Sequence, residues 1–319
     1  MAVQRLFLWL WAVVWLLCGA AQAQTPLAAA RVMIVSSDTA PAYALAVQAL
    51  TDALVRKGVP RSDISQMFAS ELTMHLQSGQ TIRPAVCVAL GSEATQVLLA
   101  GNSKAPVLSA LIPRRSFERL LRNSGRVMSA QLSAIYLDQP LARQLTLIRL
   151  AMPQASRLGV LLGPESLANA PSLRVQAVAY GLSLSEAEIR IAEELSTGLP
   201  SLLEDSDVLL ALADPLVFNS STIQNILLSS FRARVPMVAF SPAYVRAGAL
   251  LALYTTPEQA GQQAAEQVWQ VLQGKPLPDR PIEPNDFEVG VNTHVARSLG
   301  LAFDSISLRL ALRRLEHLP

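Results

Sequence analysis

The sequence predicts an α/β fold of two lobes, each an open, mostly parallel sheet flanked by helices, with three crossings of the chain between them. Three observations point there. Short continuous apolar runs of strand length, each ending in a polar turn, alternate with segments whose apolar residues keep a 3.6-residue spacing. This βα punctuation occurs in two successive sets. Of 319 residues, an N-terminal leader of 23 leaves 319 − 23 = 296, enough for two lobes of ordinary domain size.

The leader stands outside the fold. Arg5 precedes an apolar run from Leu6 to Cys18, and Ala21-Gln22-Ala23 supplies the small-x-small pattern that a signal peptidase reads, so cleavage is expected before Gln24 and the product in the periplasm or otherwise exported. An uncleaved N-terminal anchor is the alternative reading. Leu16 and Leu17 ahead of Cys18 do not match the small residue that precedes a lipid-bearing cysteine.

The chain then opens with the run Val32 to Val35, the turn Ser36-Ser37-Asp38 and a helical face of Tyr43, Val47, Leu50 and Leu54. The same unit recurs at Ile64 to Phe68, at Val86 to Leu90 with Gly91-Ser92-Glu93, and at Val107 to Ile112 with Pro113-Arg114-Arg115. Ser133 to Asp138 reads as the first crossing, followed by a helix carrying Leu141, Leu145, Ile148 and Met152. A second set follows: Leu158 to Leu162, a helix from about Ala170 to Tyr180, the run Glu186 to Ile191, then Val208 to Leu212 with the turn Asp214-Pro215. The helix after it has Ile223, Ile226, Leu227 and Phe231 at helical spacing. Pro236 to Phe240 and Gly248 to Tyr254 are further strands, and Thr256-Pro257 caps and opens a long helix. Clusters of Pro and Gly place the later crossings at Pro242 to Ala247 and Pro281 to Glu288. Lobe one is thus expected over 24–132 plus 243–281, and lobe two over 133–242 plus 282–319.

Composition removes several function classes. Without Arg5 the balance of Lys+Arg over Asp+Glu goes from 26 − 24 to 25 − 24, which gives no basic field for nucleic acid. Cys87, the cysteine left after the leader, lies inside an apolar run and reads as a buried inert thiol, so no internal disulfide is expected. There is no G-x-S-x-G, P-loop or G-x-G-x-x-G, and His75, His294 and His317 stand far apart, so neither catalysis, a metal nor a cofactor is expected. Trp9, Trp11 and Trp15 belong to the leader, and Trp269 sits on a helix face, which leaves no indole platform for a sugar.

In an open α/β sheet a ligand sits beyond the carboxyl ends of the strands, near free backbone N–H groups and helix N-termini. That rule selects Ser36, Ser37, Ser92, Glu93, Arg114 and Arg115 from the first set of loops, and Tyr136, Asp138, Asp214, Phe218, Asn219, Ser241 and Tyr244 from the second. Ser37 and Ser92 can equally cap helices, as can Asn219. Arg114 and Arg115 match a carboxylate with paired hydrogen bonds, although Glu118 one turn on offers an ion-pair partner.

An ordered set of motifs carries a family resemblance: Leu212-Ala213-Asp214, Val235-Pro236-Met237-Val238, Arg246-Ala247-Gly248-Ala249-Leu250, Gly261-Gln262-Gln263-Ala264-Ala265, Leu272-Gln273-Gly274-Lys275, and a closing Asn292 with Ala296 and Leu299-Gly300-Leu301. In content and order the chain resembles ABC-transporter substrate-binding proteins of the tryptophan or aromatic-amino-acid type, built on the type I periplasmic-binding fold. Ser92-Glu93 and Pro113-Arg114-Arg115 depart from the Thr and the acidic turn usual in that family. The resemblance implies a non-enzymatic, monomeric protein that takes a small molecule, an amino acid or related carboxylate, into an interlobe cleft beside Asp214. It also implies an ABC permease with a cytoplasmic ATPase as partner. A ligand sensor of the same fold, working with a membrane receptor or sensor kinase, is the competing class.

Overall fold

The computed structural model describes residues 31–79, 83–101 and 104–316; the expected leader and His317 lie outside the described residues. Four βα repeats and a closing strand build lobe one: β1 (Val32–Ser36), α1 (Pro41–Arg56), β2 (Ile64–Phe68), α2 (Ala69–Gln77), β3 (Val86–Leu90), α3 (Ser92–Ala100), β4 (Val107–Ile112), α4 (Arg114–Ser124) and β5 (Leu132–Tyr136). Its sheet runs β2-β1-β3-β4-β5 and is parallel throughout. Every residue of β1, β3 and β5 is buried, the consequence of helices on both faces.

Lobe two begins after the first crossing with α5 (Leu141–Ala151), β6 (Arg157–Leu162), α6 (Ala170–Ala179), β7 (Ser183–Glu188), α7 (Leu195–Glu204), β8 (Val208–Leu210), α8 (Ile223–Arg232), β9 (Met237–Ala239), α9 (Pro242–Ala247) and β10 (Leu251–Tyr254). The chain crosses back to lobe one for α10 (Pro257–Leu272), then returns to lobe two for β11 (Glu288–Val291), α11 (Thr293–Ser298) and α12 (Ser305–Glu316). The sheet order is β11-β10-β9-β8-β6-β7, with β11 antiparallel to β10 and the other pairs parallel.

Three expectations need correction. Ser133 to Asp138 is not itself the first crossing: Leu132 to Tyr136 pairs with β4 as the edge strand of lobe one, and the chain leaves only at Leu137. A run buried on both faces is more stable inside the sheet than as a solvated linker. The segment 243–254 belongs to lobe two, because Leu251 and Ala252 pair with Val238 and Ala239; the second crossing falls at Thr255-Thr256. Finally β7 spans Ser183–Glu188 rather than Glu186 to Ile191, since this edge strand is polar and its partly exposed residues pair in register with β6 from Arg157 onward. Ile282 still bridges Ile135 of lobe one, so the third crossing occupies Glu283 to Phe287.

The return of α10 to lobe one is written into its sequence. Thr256 Oγ1 accepts the Gln259 N–H at 3.2 Å while Gln259 Oε1 accepts the Thr256 N–H at 2.9 Å, a reciprocal cap at the helix start. Further along, Gly261, Ala264 and Ala265 lie buried against α1; a Cβ on Gly261 would come within 2.3 Å of the Ala46 carbonyl oxygen. The Gly-x-x-Ala-Ala motif therefore sets the distance at which the two helices pack.

Candidate functional site

A cleft of about 470 Å³ opens between the lobes, within the range that holds a small ligand. From lobe one it is walled by Pro113, Arg114 and Arg115 at the end of β4. The first crossing contributes Leu137, Asp138 and Gln139, and Gln144 lies just beyond on α5. Facing them are Ala211 to Ala213 after β8, Phe240 after β9, Leu253 on β10, Asn169 just before α6, and Ser172, Leu173 and Gln176 along it. Strand carboxyl ends from both sheets thus meet here, as the geometry of open α/β sheets dictates.

A distortion in β4 aims the first of these loops. The register with β5 shifts between Ser109 and Ile112, and Leu111 sits at φ +54°, a left-handed conformation costly for a side chain of this size. The turn is thereby directed so that α4 starts at the cleft. No side chain from Pro113 caps this helix; instead Asp138 reaches across from the crossing, and its Oδ2 accepts the Arg114 N–H at 2.5 Å. The carboxylate is favoured there by the helix dipole. Burial nevertheless pushes its carboxyl above the ordinary 3.8, with the Arg114 N–H and guanidinium pulling in the opposite direction.

The two arginines differ. The Arg114 guanidinium lies 4.7 Å from the centre of the Tyr136 ring and 3.3 Å from Glu283, and stays 41% exposed. Burial, then Glu118, pushes the Tyr136 hydroxyl up to about 12, so the ring presents a neutral face to the cation. Arg115 is held more tightly: Nη1 donates to Glu118 at 2.7 Å and Nη2 donates to Asn169 on the opposite lobe. Its Nε is buried with no hydrogen-bond partner. Next to this link, Arg119 of α4 pairs with Glu165 of lobe two, so the lobes touch along one rim of the cleft.

Of the residues selected from sequence, Arg114, Arg115 and Asp138 line the cleft, and Tyr136 backs Arg114. The others are used elsewhere. Ser36 donates to the Asp38 carbonyl at 3.0 Å; Ser37 donates to Leu90 O at 2.7 Å and accepts the Ala94 N–H at 2.9 Å, tying β1 to the start of α3. Ser92 opens that helix and Glu93 is exposed on its first turn. Asp214 is buried and does not line the cleft: its Oδ2 accepts Glu165 N at 2.9 Å, Ser166 N at 2.8 Å and Ser166 Oγ at 2.9 Å, and its Oδ1 accepts Leu216 N at 3.0 Å. Gly163 makes room for it, since a Cβ there would fall 2.3 Å from Oδ1. Asn219 organises its own loop, accepting from Ser221 N and Thr222 N and donating to Pro215 O and Leu216 O. Ser241 caps α9 by accepting the Ala243 N–H at 3.2 Å. Phe218 and Tyr244 stand behind Phe240, with ring centres 6.2 and 5.1 Å from it, so one ring of the three faces the cleft.

Sequence reading missed Gln139, Gln144, Asn169, Ser172, Gln176 and Glu283. None follows directly on a strand. The signal available for α6 was a polar stripe, Asn169, Ser172 and Gln176, at helical spacing beside the buried Leu173 and Ala177. Among the described residues no group of His, Cys, Asp and Glu is arranged to hold a metal ion, and no helix is long and apolar enough to cross a membrane.

Comparisons with known proteins agree with this geometry. The family profile described as "ABC transporter substrate binding protein" matches residues 31–312. A tyrosine-binding protein of Clostridioides difficile (strain R20291) is 26% identical over 163 residues, which are 50% of this chain and 47% of that one, so the match spans about half of the relative's length. Among solved structures, the ligand-free, open form of a substrate binding protein with adhesive properties from Clostridium difficile is similar with a TM-score of 0.68 at 20% identity, over 86% of this chain and 96% of the other. An ABC domain in complex with L-Trp from Streptococcus pneumoniae reaches 0.60 at 18% identity, over 88% and 97%. Likenesses at that identity establish the fold, the two-lobed type I periplasmic-binding architecture. The extent of the profile match establishes more: the chain belongs to the ABC transporter substrate-binding protein family, whose members bind a substrate without transforming it.

Proposed function

We propose that the protein is exported, captures an amino acid in the interlobe cleft by closure of the lobes, and presents it to an ABC permease powered by a separate ATPase. An aromatic amino acid is favoured among the candidates. The observation that carries this reading is the division of the cleft: Arg114, Arg115 and Asp138 gather at one side, while the facing wall carries an apolar patch of Leu173, Leu212, Phe240 and Leu253 beside the polar Asn169, Ser172 and Gln176. Opposite charges beside an apolar wall suit a zwitterion with a large side chain, the carboxylate toward the guanidinium groups and the ammonium toward Asp138. The tyrosine-binding relative and the L-Trp complex support the same class.

A thermal-shift screen of purified protein against amino acids, small carboxylates, purines and sugars tests it. A ligand that binds the native state at 100 times its dissociation constant adds about 2.7 kcal/mol, an easily read shift. Hits confined to aromatic amino acids are expected. Hits confined to sugars or purines would overturn the assignment of ligand class.

A further inference from the structure

The three segments that pass between the lobes are bound to one another at a single side chain. Gln139, on the first crossing, is 6% exposed. Its Nε2 donates to Thr255 Oγ1 on the second crossing at 2.7 Å and to the Asp286 carbonyl on the third at 3.3 Å. Its Oε1 accepts from Arg143 Nη1 at 2.6 Å. This orientation of the carboxamide is the one the surroundings permit, since a guanidinium only donates and a carbonyl only accepts. Arg143 in turn donates to Pro284 O at 2.9 Å on the third crossing, pairs with Glu316 of α12, and lies 4.8 Å from the centre of the Phe287 ring. Thr255 Oγ1 also faces Leu137 O at 3.5 Å.

Gln139 is at the same time part of the cleft wall, and Gln144, its neighbour there, donates to the Gln139 backbone carbonyl at 2.8 Å. We infer that Gln139 is the pin of the interlobe hinge: it fixes the axis about which the lobes turn and, through its place in the wall, couples occupancy of the cleft to that rotation. The residue acts by position and need not touch the ligand. The pin stands independently of the proposed ligand; the coupling rests on the binding reading.

The two parts are tested separately. Spin labels on cysteines introduced at Asn123 of α4 and Val175 of α6 report the interlobe distance by pulsed electron resonance; both sites are exposed, and native Cys87 is fully buried. Without any ligand, Thr255→Val removes a pin hydroxyl that does not line the cleft. It is expected to broaden the distribution or raise a second population roughly five-fold, the consequence of losing one net hydrogen bond. Gln139→Leu should do more and Thr255→Ser, which keeps the hydroxyl, nothing. Ser172→Ala, which changes the cleft wall alone, should leave the ligand-free distribution as it was. Distributions matching the parent in both Thr255→Val and Gln139→Leu would overturn the pin; if Gln139→Leu does not fold, Thr255→Val decides. With L-tyrosine or L-tryptophan added, the parent should shift to one shorter distance and Thr255→Val should close incompletely at saturation. Equal closure would overturn the coupling while leaving the pin, and no shift in the parent would count against the ligand class alone.

Discussion

Asp138 and Asp214 both follow a strand end, yet the fold uses them in opposite ways. Asp214 commits both oxygens to the loop of Glu165 and Ser166 and to its own turn, and does not line the cleft. Asp138 accepts one helix N–H and lies in the wall of the cleft. The difference teaches that a polar residue at the carboxyl end of a strand is free to meet a ligand only when neighbouring loops leave it hydrogen-bonding capacity. Asp214 joins two loops within one lobe, whereas Asp138 lies where the chain passes from one lobe to the other.

The largest effect should come from breaking the locked member. Asp214→Asn turns an acceptor into a donor against Glu165 N and Ser166 N and is expected to destabilise the fold by about 3 kcal/mol, measured by urea unfolding. Ligand affinity of the folded protein should stay unchanged. Weakened binding at unaltered stability would reverse the roles of the two aspartates. Next comes Arg114→Ala, which should weaken binding of an aromatic amino acid roughly 30-fold by calorimetry, with little change in stability, because the pair with Glu283 is solvated.

Asp138 allows a test by pH. Its carboxyl is raised above 3.8 in the fold, so the protonated form favours folding; that contribution is fully present below 3.8 and is lost as the pH rises through the folded value. Binding of an ammonium group has the opposite sign, needing the ionised form and weakening as the pH falls through that same value. Asp138→Asn should abolish both slopes. Asp207 supplies the smallest effect and an exposed counterpart. Burial pushes its carboxyl up, but hydrogen bonds from Arg157, Ser156 and their backbone N–H groups outweigh that and bring it to about 2. Its stabilisation is present above the ordinary 3.8 and lost as the pH falls toward about 2. Solvent screening keeps it at about 1 kcal/mol, and Asp207→Asn should remove that acid-dependent step without touching binding.

The same contrast explains what was legible in the sequence. Runs buried on both faces, such as Val86–Leu90, announce themselves because sheet pairing and two helical layers leave no polar position. The strand Ser183–Glu188 has one covered neighbour and an open edge, so its alternating polar residues gave no apolar run and the expected position slid toward Ile191. In α8, Ile223, Ile226 and Leu227 are buried as their spacing implies, while Phe231 on the last turn is 54% exposed. The strand-end rule selected Arg114, Arg115 and Asp138, which line the cleft. It could not tell which strand ends would meet, because that depends on the crossings, and it was silent about Gln139 and the helix face of Ser172 and Gln176. Asp214 was legible as a motif, and its role was not, since the partner loop lies some fifty residues upstream at Glu165 and Ser166.

The most direct measurement is a calorimetric titration of the purified protein with L-tyrosine, with tyramine, which lacks the carboxylate, and with 3-(4-hydroxyphenyl)propanoate, which lacks the ammonium group. If Arg114, Arg115 and Asp138 hold the two ends of a zwitterion, tyrosine binds and each analogue is weaker by roughly 30-fold or more. Equal affinity for all three compounds would contradict recognition through these charges.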